Sequence, residues 1–271
     1  MESDVKISVV IPTLNNRSNF LKEALISIEK QTYLPLEVII VNNGEKDLDI
    51  SNTSLNIQHF KIVFKGGVAQ ARNFGACLAN GEYIAFLDDD DLWGHDYLKN
   101  IKKHIDNDYP DCLIGKLDQL INNKITPFKS AHGKINKDII LMRNPGITGS
   151  SVVIKKNIFM ILGGYNPKLP PSEDKSLILE LINRGAKIVT VPESQAIIRQ
   201  YEVDRLTSNK STLHEGIFQF YRAYKGQMNL NQKIINLYKI HKYLWLSKKK
   251  IVSGLIFIFL FIILKLIKYI R

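Results

Sequence analysis

Four short apolar runs set the frame of the first third of the chain: KISVVIP (Lys6–Pro12), EVIIVNNG (Glu37–Gly44), HFKIVF (His59–Phe64) and EYIAFL (Glu82–Leu87). Each is too short for a globular helix and is rich in β-branched or aromatic residues. Each also ends on proline, glycine or polar residues, as a strand buried on both faces does. Helical patterns intervene. Phe20, Leu21, Ala24, Leu25 and Ile28 recur at helical spacing, and GGVAQARNFGACLANG predicts a glycine turn, a helix from about Val68 and Gly81 at its end. Strands alternating with helices predict an α/β fold, a mostly parallel sheet with helices on both faces. Ligands of such sheets bind beyond the carboxyl ends of the strands. VIPT, VNNG and FLDDDD all lie there, so Thr13, Asn42, Asn43 and the aspartates share one rim.

The aspartates sharpen the question. One Asp after a strand can cap the next helix, but Asp88, Asp89, Asp90 and Asp91 repel one another, and no Lys or Arg follows before Lys99. Four adjacent carboxylates need a counter-charge. Hard divalent cations prefer carboxylate oxygen, and a Mg²⁺ site commonly takes one or two carboxylates plus substrate phosphates. A metal diphosphate at the rim accounts for the run.

Further along, DCLIGKLDQLI (Asp111–Ile121), SSVVIK (Ser150–Lys155) and AKIVTVPE read as strands, and NIFMILGGY as a helical turn or two closed by Gly163-Gly164. PPSEDKSLILELINRG predicts a helix with Glu173 and Asp174 at its start and Gly185 after it. The polar stretch from Asn122 to Asp138 has no clear period.

Together, ISVVIPTLNN, FLKEALISIEKQTYLPLEVIIVNNG, GGVAQARNFGACLANGEYIAFLDDDD, GSSVVIKKNIFMILGGYN and SEDKSLILELINRGAKIVTVPE resemble a family 2 glycosyltransferase of the GT-A fold, over about three quarters of the chain. The resemblance implies that LDDDD is the metal-binding DxD motif, with Asp90 and Asp91 toward Mn²⁺ or Mg²⁺ and Asp88 and Asp89 toward the donor. It also implies that Pro12, Thr13 and the loop after them form the nucleobase pocket and that Arg72 helps hold the nucleotide; an ordinary helix-surface cation is the other reading of Arg72. Asp174 matches the catalytic base that deprotonates an acceptor hydroxyl in an inverting transfer. The alternative is that Glu173 and Asp174 only favour a helix N-terminus.

Two departures matter. Where many members carry an acidic pair, this chain has Asn42-Asn43. An amide can accept the uracil N3–H and donate to the adjacent carbonyl, so a UDP-sugar remains the leading donor. After the last strand, Tyr201 stands where many members have histidine, and Arg199 either contacts the diphosphate or braces the loop.

The net charge of +11 is unevenly placed. From Leu206 onward twelve Lys and Arg face the single acid Glu215, and the first 205 residues hold 25 charges of each sign. This asymmetry marks an attachment region and argues against a nucleic-acid binder. Ile251–Leu264 is an uncharged run short of the ~20 residues of a perpendicular span. A core helix, a shallow span and an in-plane interfacial helix compete, though apolar residues all round the run weaken the one-faced version. Lys248, Lys249 and Lys250 would meet anionic headgroups, each contributing on the order of 1 kcal/mol. Two cysteines, Cys77 and Cys112, imply no disulfide framework, and the start lacks a secretory signal.

The expectation is a transferase of three parts: a GT-A domain over 1–207, connecting helices over 208–246 and a membrane-associating helix over 247–271. It would sit on the cytoplasmic face of the membrane and pass a sugar from a nucleotide-sugar to a saccharide or lipid-linked acceptor. The rivals are a catalytically silent nucleotide or glycan binder and a nucleotidyltransferase, whose glycine-rich phosphate loop PTLNNRSN lacks.

Overall fold

The computed structural model describes residues 5–14, 18–48, 50, 53–62, 67–128, 135–200 and 209–270. Strand β1 (Ile7–Thr13) leads into α1 (Ser18–Glu29), β2 (Glu37–Asn42), β3 (Ile57–Lys61), α2 (Gly67–Leu78) and β4 (Tyr83–Phe86). Then come β5 (Leu92–Trp93), α3 (Tyr97–Asp108), β6 (Cys112–Ile121), β7 (Lys124–Pro127) and α4 (Lys137–Met142). Strand β8 (Val152–Lys155), α5 (Lys156–Ile161), α6 (Glu173–Asn183) and β9 (Ile188–Arg199) complete the sheet. Helices α7 (Lys210–Tyr224), α8 (Leu230–Lys248) and α9 (Ile251–Ile270) follow.

The strands form one sheet in the order β3-β2-β1-β4-β8-β6-β9-β5, with β7 paired to β6. The first four strands are parallel, as their continuous apolar runs require. Beyond β4 the sheet turns mixed: β8 runs antiparallel to β4 and β6, while β6 and β9 are parallel. Alternation along β1 sends Val10 to one face, with α2 and α6, and Val9 and Ile11 to the other, with α1 and α3. Within the period-less stretch the described residues form the edge strand β7 and the start of the short helix α4, whose N-cap Asn136 accepts the Ile139 N–H at 3.0 Å. Residues 63–64 of the third expected strand lie outside the described residues.

The expected division near residue 207 does not divide the core. Phe220, Tyr224 and Met228 are buried with Leu177, Ile178 and Leu181 of α6. The Tyr224 hydroxyl donates to Glu180 at 2.8 Å and pairs with Ser176 at 2.6 Å, and Asn236 donates to the Leu141 carbonyl at 2.9 Å. Helices α7 and α8 thus help build the core that carries the rim. Among the described residues no helix is long and apolar enough to cross a membrane.

Candidate active site

The rim forms where β1, β2 and β4 end together. Thr13 is buried at the end of β1 and its hydroxyl donates to Asp89. The Asn43 N–H donates to the Thr13 carbonyl at 2.9 Å, so β2 ends beside it. Gly44 lets the chain turn there, since a Cβ would stand 1.7 Å from the Leu14 carbonyl oxygen. Asn42 is fully buried, and its side chain is engaged within the turn: Oδ1 accepts from the Gly44 N–H at 2.9 Å and Nδ2 donates to the Lys46 carbonyl at 2.7 Å. Of the two amides expected to read a nucleobase, Asn43 is the half-buried one. Pro12 is buried in β1, and residues 15–17 of the next loop lie outside the described residues.

Tertiary contacts divide the aspartates. Asp88 Oδ1 meets Arg72 Nη2 at 2.5 Å. Asp91, 1% exposed, accepts from the Ser150 hydroxyl at 2.7 Å and the Arg199 N–H at 3.1 Å. Asp90 is 9% exposed, and its carbonyl accepts from Arg199 Nε at 3.2 Å. Arg199 also reaches Glu23 and lies 4.3 Å from the centre of the Phe20 ring, so it braces the aspartate loop. Its neighbour Tyr201 lies outside the described residues. The counter-charge missing from the local sequence therefore comes from Arg72, while Arg199 holds the loop through its backbone N–H and its contact with the Asp90 carbonyl. The burial of Asp91 departs from the expectation of a metal ligand facing the rim: both its oxygens already hold protein donors.

Arg72 is no surface cation. It is 2% exposed, and its Nη1 lies 3.4 Å from Asp174 and 3.8 Å from Glu173. Burial disfavours its charge, but Asp88 and Asp174 outweigh that and hold the guanidinium charged. The guanidinium carbon sits 5.1 Å from the centre of the Tyr165 ring, and two 2.8 Å hydrogen bonds with Asn73 pin the Tyr165 backbone to α2. A Cβ on Gly149 would come within 2.3 Å of Nη2, so only glycine fits beneath the cation. Asp174, with its side chain 16% exposed, is pushed up to about 8 by burial; Arg72 opposes the shift while Glu173 and Asp88 add to it. Burial raises Glu173 as well. Among the described residues, Arg72 Nε, Tyr165 Oη and Glu173 Oε2 are buried without a hydrogen-bond partner. Three unpartnered polar atoms around one cation mark a place for a bound ligand or water.

The fold thus gathers Thr13, Asn43, Arg72, Asp88, Asp89, Asp90 and Asp174 at one rim, with Asn42 and Asp91 in support beneath. Sequence reasoning missed Ser150, which donates to Asp91, accepts from the Asp88 N–H at 3.1 Å and through its carbonyl accepts from the Trp93 indole at 2.8 Å. It also missed Gly149, Asn73 and Tyr165. Their signals are tertiary; a serine or a glycine in GSS carries no periodicity. Among the described residues no three potential ligand side chains converge as a metal cage. The donor set is nonetheless carboxylate oxygen, which fits a hard cation completed by phosphates and water.

Residues 8–163 match the model of Glycosyl transferase family 2. An uncharacterized glycosyltransferase of Rickettsia felis is 28% identical over 191 residues, 65% of this chain and 31% of that protein. Glycosyltransferase GlyG of Streptococcus pneumoniae is 32% identical over 117 residues, 40% of this chain and 38% of that protein. The chain thus spans about a third of the length of these curated relatives. Among solved structures, S. aureus TarS 1–349 in complex with UDP-GlcNAc superposes with a TM-score of 0.63 at 17% identity, covering 89% of this chain and 81% of that one.

Proposed function

The chain belongs to glycosyl transferase family 2, and from that premise we propose that it transfers a sugar from a nucleotide-sugar, most simply a UDP-sugar, to a hydroxyl of a saccharide or lipid-linked saccharide, inverting the anomeric centre. One observation carries the reading. A single buried guanidinium, Arg72, joins the strand-end carboxylate Asp88 to Asp174, the carboxyl pushed up to about 8. A group titrating near neutral pH is matched to proton transfer. TarS, a neighbour in fold, was crystallised with UDP-GlcNAc and with UDP.

In this reading Thr13 and Asn43 flank the nucleobase, and Asp88 and Asp89 orient the ribose and diphosphate side of the donor. Asp90 would hold a Mn²⁺ or Mg²⁺ ion, with Asp91 beneath it fixed by Ser150 and the Arg199 N–H. Such an ion would neutralise charge on the diphosphate as the sugar–phosphate bond breaks. Asp174 accepts the proton of the acceptor hydroxyl, whose oxygen attacks the anomeric carbon opposite the leaving diphosphate. Arg72 aims Asp174 and keeps its deprotonated form accessible.

Calorimetric titration with UDP, with and without Mn²⁺, followed by product analysis on a donor panel, tests this. Mn²⁺-dependent binding and a product of inverted configuration are expected. Binding without turnover of any donor would favour the silent binder instead.

A further inference from the structure

Helices α8 and α9 form a hairpin. The chain reverses at Lys249, whose φ of +51° is the left-handed turn that lets α9 fold back along α8. Gly254 lets the Trp245 indole approach, since a Cβ there would stand 2.9 Å from it. Tyr238 and Trp245 of α8 meet Phe257 at centroid separations of 5.1 and 6.0 Å, and Tyr238 also meets Phe261 at 6.2 Å. Ser253 and Leu260 are buried on the same side.

The opposite side is a second apolar face. Ile251, Leu255, Phe259, Ile262 and Leu266 fall at spacings of four, four, three and four residues, and all are more than half exposed. That spacing makes a stripe roughly 100° wide from Ile251 to Leu266. The run is apolar all round in sequence because two faces need apolar residues: one for α8, one for a surface outside the chain. A buried core helix would leave no such stripe.

We propose that this stripe docks in the plane of an anionic lipid bilayer, with the α8–α9 hairpin lying on the membrane. Charge complementarity selects this occupant. Lys248, Lys249 and Lys250 are exposed at the turn, Lys265 is exposed at the far end of α9, and from Leu206 onward Glu215 is the single acid. Lysines beside an apolar helix face are the signature of an interfacial helix on anionic headgroups. A soluble partner would have to be both apolar and acidic along the stripe. The proposal rests on α9 and its lysines and not on the transfer reaction, so vesicle binding measured without donor leaves the reading of the rim unaffected if it fails.

Sedimentation of the full chain with phosphatidylcholine vesicles, with and without about one third phosphatidylglycerol, tests it. Binding to the anionic vesicles should exceed binding to the neutral ones about a hundredfold and fall as salt rises. Leu255→Ser/Phe259→Ser should lower it about tenfold, and separately Lys248→Gln/Lys249→Asn/Lys250→Gln about a hundredfold, each with unchanged circular dichroism and melting. The lysine variant leaves the hairpin interior intact, so it decides the matter if the face variant misfolds. A Phe259→Trp reporter in a Trp245→Phe background should be quenched by lipids brominated near the headgroup more than by those brominated near the chain ends. Equal binding to both vesicle types, quenching strongest from chain-end bromines, or a dimer in sedimentation velocity that Leu255→Ser/Phe259→Ser dissociates without any vesicle binding would each overturn the proposal, the last in favour of a second copy of the chain.

Discussion

Arg72 Nη1 lies 3.4 Å from Asp174 Oδ1 while Nη2 of the same side chain lies 2.5 Å from Asp88 Oδ1. One guanidinium thereby ties α2 to the end of β4 and to the first turn of α6, and an error at any of the three elements reaches the other two. The fork geometry matters here, because two nitrogens of one planar group serve carboxylates from different directions.

Asp174 sets the expected pH behaviour. A carboxyl held near 8 accepts a proton only once ionised, so transfer should rise with pH and level off above about 8. Asp174→Asn should lower the rate about 10²–10⁴-fold while UDP binding persists. Stability should move the opposite way. The folded state holds this proton above the unfolded carboxyl's range, so the stabilisation is complete below about 4 and is lost as pH rises through about 8. Thermal melts of wild type and Asp174→Asn across that window should therefore diverge, the variant being the less pH-sensitive.

Removing the hub should be severe. Arg72→Ala strands Asp88, Glu173 and Asp174, a loss on the order of 3–5 kcal/mol. Arg72→Lys keeps the charge and lacks the fork, so urea unfolding should place it between Ala and wild type, with transfer still strongly reduced. Gly149→Ala should displace the guanidinium from below and destabilise by about 1–3 kcal/mol.

Asp90 and Asp91 should separate by readout. Asp91→Asn disturbs a buried carboxylate with two protein donors, and urea unfolding should show a loss of about 1–3 kcal/mol. Asp90→Asn should lose the Mn²⁺ dependence of UDP binding. Mn²⁺ dependence lost in Asp91→Asn and kept in Asp90→Asn would reassign the metal to Asp91.

Helix α7 should behave as part of the catalytic fold. Phe220 is fully buried, with the Lys175 ammonium 3.2 Å from its ring centre. Phe220→Ala should cost about 3–5 kcal/mol. Lys175→Met should raise the melting temperature at pH 7, because burial, with Lys239 adding to it, disfavours the charge and drives the lysine well below its ordinary range. A melting temperature lowered by Lys175→Met would mean that the cation–ring contact outweighs the burial.

Much of this protein was legible in one dimension. Strands β1, β2 and β4, the helices α2 and α6, and the shared rim with Thr13 and the aspartates follow from local apolar period and from strand ends that carry polar residues, whereas Arg72 and Asp174 were marked by the resemblance to family 2 glycosyltransferases. Those signals survive in sequence because they act between near neighbours. What the tertiary structure decided is which polar group meets which. Arg72 pairs with Asp88 across 16 residues and with Asp174 across 102, and Arg199 meets Asp91 across 108. Asn42 looks identical in sequence to its neighbour Asn43, but full burial and two side-chain hydrogen bonds within the turn set it apart, and only the fold shows that Asp91 holds Ser150 and the Arg199 N–H. The apolar tail likewise reads as uniform until α8 covers one side of it. Electrostatic partnership and exposure depend on distance through space, and only the folded chain sets that distance.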